Sequence, residues 1–118
     1  MGVLFGIADS VEAMAKPIAD KFGVEYFADY RKLLESDIDA VTVATPTNTH
    51  FKLAMDAIKA GKHVLVEKPI CFSLDEAKNL VKAAGKEGLV LAVGSILVAR
   101  AVIASPPDEP GWFGGLIR

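Results

Sequence analysis

The chain alternates short, continuously apolar runs with longer stretches in which apolar residues recur every three or four positions. Residues 3–8 form the first run, closed by Asp9 and Ser10, the pattern of a strand buried on both faces. Ser10 is placed to cap a helix over residues 11–22, with Glu12 in a first turn favoured by the helix dipole and Gly23 as the stop. Pro17 falls inside that stretch. Its missing N–H and its crowding of the Ala13 carbonyl predict a kink, or a helix that starts near Pro17. Residues 24–27 read as a weak strand, and Asp29 as the cap of a short helix over 30–35. Residues 40–44 are the second strong strand, ending at Thr45 and Pro46. Thr47, Asn48 and Thr49 offer caps for a helix over 50–60, whose Leu53, Ala54, Ala57 and Ile58 share one face and which Gly61 ends. Residues 63–67 are a third strand. Ser73 and Glu76 form a capping box for a helix over 74–86, with Leu74, Ala77, Leu80, Val81 and Ala84 on one side. Gly88 ends it, and residues 89–93 are a fourth strong strand. Buried strands alternating with helices predict an α/β fold, a doubly wound parallel sheet covered on both faces.

Composition narrows the class. At 118 residues the chain is about one domain, and 13 Lys plus Arg against 15 Asp plus Glu leave a formal charge of −2. No basic excess exists for a phosphate backbone, so nucleic acid is not an expected partner. Hydrophobic residues make up 52% of the chain and glycine adds ten more, above the ~45–50% usual for a globular domain on that combined count. A monomer of this length buries roughly two-thirds of its unfolded surface, so the excess predicts apolar faces left uncovered. The single Cys71 excludes an internal disulfide and a multi-cysteine metal site, which fits a reducing cytoplasmic setting; no metal site is expected. The longest apolar stretch, residues 89–104, is interrupted by Arg100 and falls short of the ~20 residues that span a bilayer, so no membrane partner is expected.

Ligands of open α/β sheets bind outside the carboxyl ends of the strands, which here carry Asp9, the segment 45–50, and Glu67, Lys68 and Pro69. Asp9 can accept hydrogen bonds from both hydroxyls of an adenosine ribose, or it can simply help Ser10 cap the following helix. In the first case a 2′-phosphate is repelled and NAD is preferred over NADP. Residues 46–50 begin a helix, whose free backbone donors can meet a phosphate or a carboxamide, or need only capping. His50 is either a helix-start residue or a group that changes charge near neutral pH. Lys68, beside an acid and a proline, can donate a proton or polarise a hydroxyl or carbonyl, or it can form an exposed ion pair with Glu67.

The run Thr45, Pro46, Thr47, Asn48, Thr49, His50, followed by Ala60 to Pro69 with its Glu67, Lys68, Pro69 triplet, resembles the N-terminal NAD(P)-binding domain of the Gfo/Idh/MocA oxidoreductases. That is the glucose–fructose oxidoreductase and inositol dehydrogenase group. The segments 37–41 and 73–77 are similar to it as well, and the resemblance covers residues 3–94. It implies hydride transfer between a nicotinamide cofactor and a hydroxyl of a sugar, cyclitol or other polyol. It also implies a catalytic Lys68, a wall shaped by Glu67 and Pro69, cofactor contacts from Thr45, Pro46, Asn48 and His50, and a ribose held by Asp9 with Ser10 beside it.

Family members open with a strand and a G-x-G-x-x-G turn, and no two of the ten glycines here stand in G-x-G spacing. The expectation is an incomplete Rossmann-like sheet lacking the first strand and the Gly-rich turn, and a chain truncated at both ends. Residues 1–95 would be the partial NAD(P)-binding domain, and residues 96–118 an apolar segment with a Pro/Gly-rich tail. Such a chain is expected to have little or no activity alone, and the alternative is a non-catalytic α/β binding or assembly module that keeps the sheet. In the spatial order 3-2-1-4-5-6 the lost strand is central, leaving two open edges. These could pair directly, accept residues 96–104, or exchange with a second protomer, and a homo-oligomer is expected.

Overall fold

The computed structural model describes residues 3–94. Five strands alternate with four helices: β1 (Gly6–Ala8), α1 (Glu12–Phe22), β2 (Glu25–Phe27), α2 (Tyr30–Leu34), β3 (Ala40–Val43), α3 (His50–Lys59), β4 (His63–Glu67), α4 (Leu74–Lys86) and β5 (Leu91–Gly94), with a 3₁₀ turn at Thr47–Thr49 before α3. All pairings are parallel. β1 pairs with β2, Gly6 opposite Glu25, and β3, β4 and β5 form a second sheet in that order, with Ala40 opposite His63 and Val64 opposite Leu91. The two orders, β1-β2 and β3-β4-β5, are those of the two sides of a doubly wound sheet, and among the described residues no strand joins them. Of the three ways expected to close the gap, direct pairing of the two flanking strands does not occur; residues 96–104 lie outside the described residues, as does the tail, and exchange involves a second protomer.

The larger sheet holds the core. Val64 and Val66 of β4 are fully buried against Ala54, Ala57 and Ile58 of α3 and Leu80 and Ala84 of α4. Small residues on α3 let it approach the β-branched strand closely, and each large buried side chain contributes about 1.5–3 kcal/mol. α1 lies over the smaller sheet through Ala15 and Ala19, both buried, and leaves Val11, Met14, Ile18 and Phe22 exposed at i, i+3, i+7 and i+11. Phe72, Val81, Val90 and Val93 are exposed beside the larger sheet. Part of the apolar excess in the composition is therefore at the surface.

Local chemistry sets the ends. Gly23, Gly61 and Gly88 take φ of 66°, 76° and 66°, the left-handed conformation that closes α1, α3 and α4 without a Cβ penalty. Asp29 caps α2 by accepting from the Arg31 N–H at 3.0 Å, and the Ser73 hydroxyl accepts from the Glu76 N–H at 3.4 Å. Several expectations are corrected. Ser10 does not cap α1; Asp9 Oδ1 accepts from the Val11 N–H at 2.8 Å instead, because a carboxylate two residues back reaches the free donor. α1 starts ahead of Pro17 and carries it inside, on the exposed side. The first strand is only three residues long, Gly6–Ala8, and none of the three is fully buried, so the expected strand buried on both faces over residues 3–8 is not formed. Thr47, Asn48 and Thr49 make a 3₁₀ turn rather than side-chain caps for α3.

Candidate functional site

Parallel pairing puts every strand's carboxyl end on one rim. The register sets Val43 level with Val66 and Glu67 level with Gly94, so the segments after β3 and β4 leave the sheet side by side, next to the end of β5. Lys68 follows directly. Its amide donates to the Gly94 carbonyl at 3.1 Å, its side chain is exposed, and its ammonium makes no ion pair among the described residues. The expected alternative of an exposed pair with Glu67 is thus not formed, although Glu67 has an interaction of its own. The Lys68–Pro69 peptide bond is cis.

Across from it, the segment after β3 is drawn tight by short bonds. The Thr45 and Thr49 hydroxyls lie 2.6 Å apart, and the Thr49 N–H and hydroxyl donate to the Pro46 carbonyl at 2.9 and 2.6 Å. Asn48 stays exposed at the tip. His50 is 1% exposed and lies beneath the rim: its Nδ1 is 2.9 Å from the Pro69 carbonyl oxygen and its Nε2 is 2.8 Å from that of Thr45. The structure thus brings Thr45, Pro46, His50, Lys68 and Pro69 together. His50 is part of the wall's backing, with neither ring nitrogen left over for a ligand.

Asp9 closes β1 on the other sheet. It is exposed, its amide donates to the Phe27 carbonyl at 3.1 Å, and its carbonyl accepts from the Tyr26 hydroxyl at 2.7 Å. Partial burial, then the charges of Glu12 and Asp9, push the Tyr26 phenol up from its ordinary value, so it remains a donor. One carboxylate oxygen of Asp9 serves α1, and a carboxylate has acceptor capacity beyond one bond. Both readings of Asp9 are therefore compatible with the geometry. Ser10 is exposed beside it.

A second concavity lies at the opposite end of the strands. It measures about 660 Å³ and is lined by Arg31, Leu34, Lys52, Asp56, Lys59 and Lys62 among others. Its charges are largely spoken for: Lys52 pairs with Asp56 at 2.8 Å, the Tyr30 hydroxyl donates to Asp56 at 2.6 Å, and Lys62 donates to the Ser36 carbonyl at 3.0 Å. Partial burial raises the Asp56 carboxyl, but the hydrogen bonds from Lys52 and Tyr30 and the charges of Lys52 and Lys59 hold it below its ordinary value overall. Being at the amino ends of the strands, this hollow is not the crevice where open α/β sheets take ligands.

Among the described residues no three or more His, Cys, Asp or Glu converge as a metal site, and no helix is long and apolar enough to cross a membrane. An exposed carboxylate, Asp9, stands just past the end of β1 and an exposed ammonium, Lys68, just past the end of β4. The ten glycines contain no G-x-G spacing for a pyrophosphate turn.

Residues 3–95 match the NAD-binding Rossmann-fold domain of the Gfo/Idh/MocA oxidoreductase family. The chain is 39% identical over 93 residues to UDP-N-acetylglucosamine 3-dehydrogenase of Acidithiobacillus ferrooxidans, covering 79% of this chain and 29% of that protein. It is 33% identical over 122 residues to the NAD⁺-dependent scyllo-inositol 2-dehydrogenase of Bacillus subtilis, covering 95% of this chain and 36% of that one. Among solved structures it is similar to KijD10, a 3-ketoreductase from Actinomadura kijaniata in complex with NADP and TDP-benzene, with a TM-score of 0.73 and 37% identity over 76% of this chain and 28% of that one. The chain spans about a quarter to a third of the length of such relatives. By its matched residues and its parallel sheet order, it belongs to the Gfo/Idh/MocA oxidoreductases, as part of their NAD-binding Rossmann domain.

Proposed function

We propose that this chain supplies the nicotinamide-facing wall of an oxidoreductase that moves a hydride between NAD(P) and a hydroxyl-bearing carbon of a sugar or cyclitol. The observation that carries this is Lys68: an exposed ammonium without an ion-pair partner among the described residues, at the carboxyl end of β4, on a segment tied to β5 by its own amide and to the β3 rim through Pro69. When bound, a nicotinamide supplies the hydride acceptor or donor. Lys68 holds the substrate oxygen: as the ammonium it gives that oxygen a proton when a carbonyl is reduced, and in the reverse direction it is the neutral amine that takes the proton when a hydroxyl is oxidised. Glu67 and Pro69 shape this wall, and Thr45, Pro46 and Asn48 line the cofactor on the β3 side, with His50 behind them. Asp9 accepts from the adenosine ribose hydroxyls with Ser10 adjacent, which favours NAD over NADP.

Residues 1–95 act as the nucleotide-binding unit, in the cytoplasm. Turnover needs a pyrophosphate turn and a substrate wall that the described residues do not contain, so the chain alone is expected to show little or none. The open edges of β1 and β3 and the exposed stripe on α1 favour a homo-oligomer.

The test is an NMR titration of the ¹⁵N-labelled chain with NAD and with NADP. Amides of residues 9–11, 45–50 and 67–71 shift, and Lys68→Ala removes the response to free nicotinamide mononucleotide while keeping the response of residues 9–11 to AMP. Shifts confined to the hollow around Lys52 and Lys59, or none at millimolar dinucleotide, would refute the assignment.

A further inference from the structure

Two backbone carbonyls meet one buried ring. The His50 Nδ1 lies 2.9 Å from the Pro69 carbonyl oxygen and Nε2 lies 2.8 Å from that of Thr45, in a side chain only 1% exposed. A carbonyl oxygen only accepts, so each contact is a hydrogen bond only while the ring nitrogen carries its proton. A neutral imidazole has a single N–H. Its other nitrogen would turn a lone pair toward a carbonyl lone pair at hydrogen-bond distance, an unfavourable contact for a ring that water does not reach. Changing tautomer only changes which carbonyl is abandoned. The geometry is satisfied in full by the imidazolium alone.

We propose that His50 is the positioning residue of the rim, an imidazolium that donates to Thr45 and Pro69 at once and thereby holds the Lys68–Pro69 segment against the loop after β3. Lys68 is then anchored from two directions: its own amide on the Gly94 carbonyl, and the next residue's carbonyl on His50. Losing one ring proton opens one side of the clamp. The loop of residues 44–49 carries no ionisable side chain. On the β4 side the ionisable groups near the contact are Glu67 and Lys68 before Pro69 and Cys71 after it, and on α3 Lys52 and Asp56 pair with each other. The consequence for chemistry rests on the reading of Lys68 given above; the clamp itself does not.

The test is a long-range ¹H–¹⁵N correlation spectrum of the His50 ring in the labelled chain, followed through a pH titration. Both ring nitrogens are expected to show protonated, pyrrole-type shifts in the closed state. When one loses its proton, the amide signals of Lys68, Ile70 and Cys71 are expected to move in step with the ring. A ring with one bare nitrogen while those amides hold the same positions as in the doubly protonated state would overturn the proposal. Two variants separate clamping from space-filling. His50→Asn puts an amide nitrogen near the place of Nδ1 and retains the Pro69 contact, whereas His50→Gln reaches toward the place of Nε2 and retains only Thr45. The Asn variant is expected to keep the Lys68–Cys71 signals near those of the parent, and the Gln variant to displace them. Equal displacement by two folded variants would reduce His50 to packing; if a variant fails to fold, the ring spectrum of the parent decides. Lys68→Ala leaves that ring spectrum unchanged, so a failed role for Lys68 and a failed clamp are read separately.

Discussion

Asp9 is asked to do two things, and one substitution separates them. Its Oδ1 accepts from the Val11 N–H at 2.8 Å, which serves the start of α1, and its charge is proposed to recognise a ribose. Asparagine and aspartate are close to equal in satisfying a helix's first donors, so Asp9→Asn should leave the melting temperature within about 2 °C of the parent. Asp9→Ala removes the acceptor, at a cost of about 0.5–2 kcal/mol. For a domain of this size that lowers the melting temperature by roughly 4–8 °C per kcal/mol. On the ligand side the order differs. Hydrogen bonds to a charged group contribute about 1.5–3 kcal/mol against about 0.5–1.5 for neutral ones, so neutralising Asp9 against two ribose hydroxyls should weaken NAD by roughly 30- to 150-fold. NADP should weaken less or improve, because the repulsion of its 2′-phosphate is removed along with the carboxylate. The assay pairs circular-dichroism melts with NMR titrations of NAD and NADP for the parent and both variants. If Asp9→Asn melts as low as Asp9→Ala, the amide does not replace the carboxylate at α1. If it leaves the NAD to NADP preference untouched, Asp9 does not face the ribose.

Three further outcomes follow from packing and charge. Leu80→Ala, at a fully buried position of α4, should cost about 2–5 kcal/mol in urea unfolding, while its 61%-exposed neighbour Val81→Ala should stay within about 0.5 kcal/mol; similar costs would contradict the core between α3, α4 and β4. Gly6→Ala brings a Cβ to 2.8 Å from Phe27 Cε2 and 3.1 Å from the Glu25 carbonyl, so it should destabilise the β1-β2 pair by about 1–3 kcal/mol, read as faster hydrogen exchange at residues 25–27. Acid should destabilise the chain through Asp29, held low by its side-chain bond with Arg31, and through Asp56, where hydrogen bonds and positive charges outweigh burial. Both folded values lie below the unfolded one of about 3.9, so their contribution is full above that pH and is lost as pH falls through the folded values. Urea midpoints of Asp56→Asn should accordingly fall less steeply than those of the parent below about pH 4.

What could be read ahead of the structure divides along a physical line. Continuous apolar runs such as residues 63–67, and the left-handed stops Gly23, Gly61 and Gly88, are local signals, and the strands and helices they announce are present. Parallel order also follows locally, because each strand is separated from the next by a helix long enough only to cross over. The rim triplet Glu67, Lys68, Pro69 was equally legible, since its place after an apolar strand fixes where it emerges. What was not legible depends on contacts between distant segments. His50 reads as a rim residue with a useful charge, yet its partner Pro69 is 19 residues away and offers only a backbone carbonyl, which leaves no mark in the sequence. Ser10 reads as the cap with Asp9 beside it, yet it is Asp9 that accepts from the Val11 N–H, a choice between neighbouring side chains that residue type alone does not make. β1 keeps three paired residues of an apolar run twice as long, because its partner β2 offers only Glu25 to Phe27 to pair with. The stripe Val11, Met14, Ile18 and Phe22 has the spacing of a buried helix face, while Ala15 and Ala19 face the strands. Small residues sit where α1 must approach the sheet closely, and the large ones face outward, where a further layer could cover them. The same asymmetry appears in the sheets, where among the described residues β1 and β3 are each paired on one side. Sequence shows how much apolar surface the chain has, but its partners decide which of it is core.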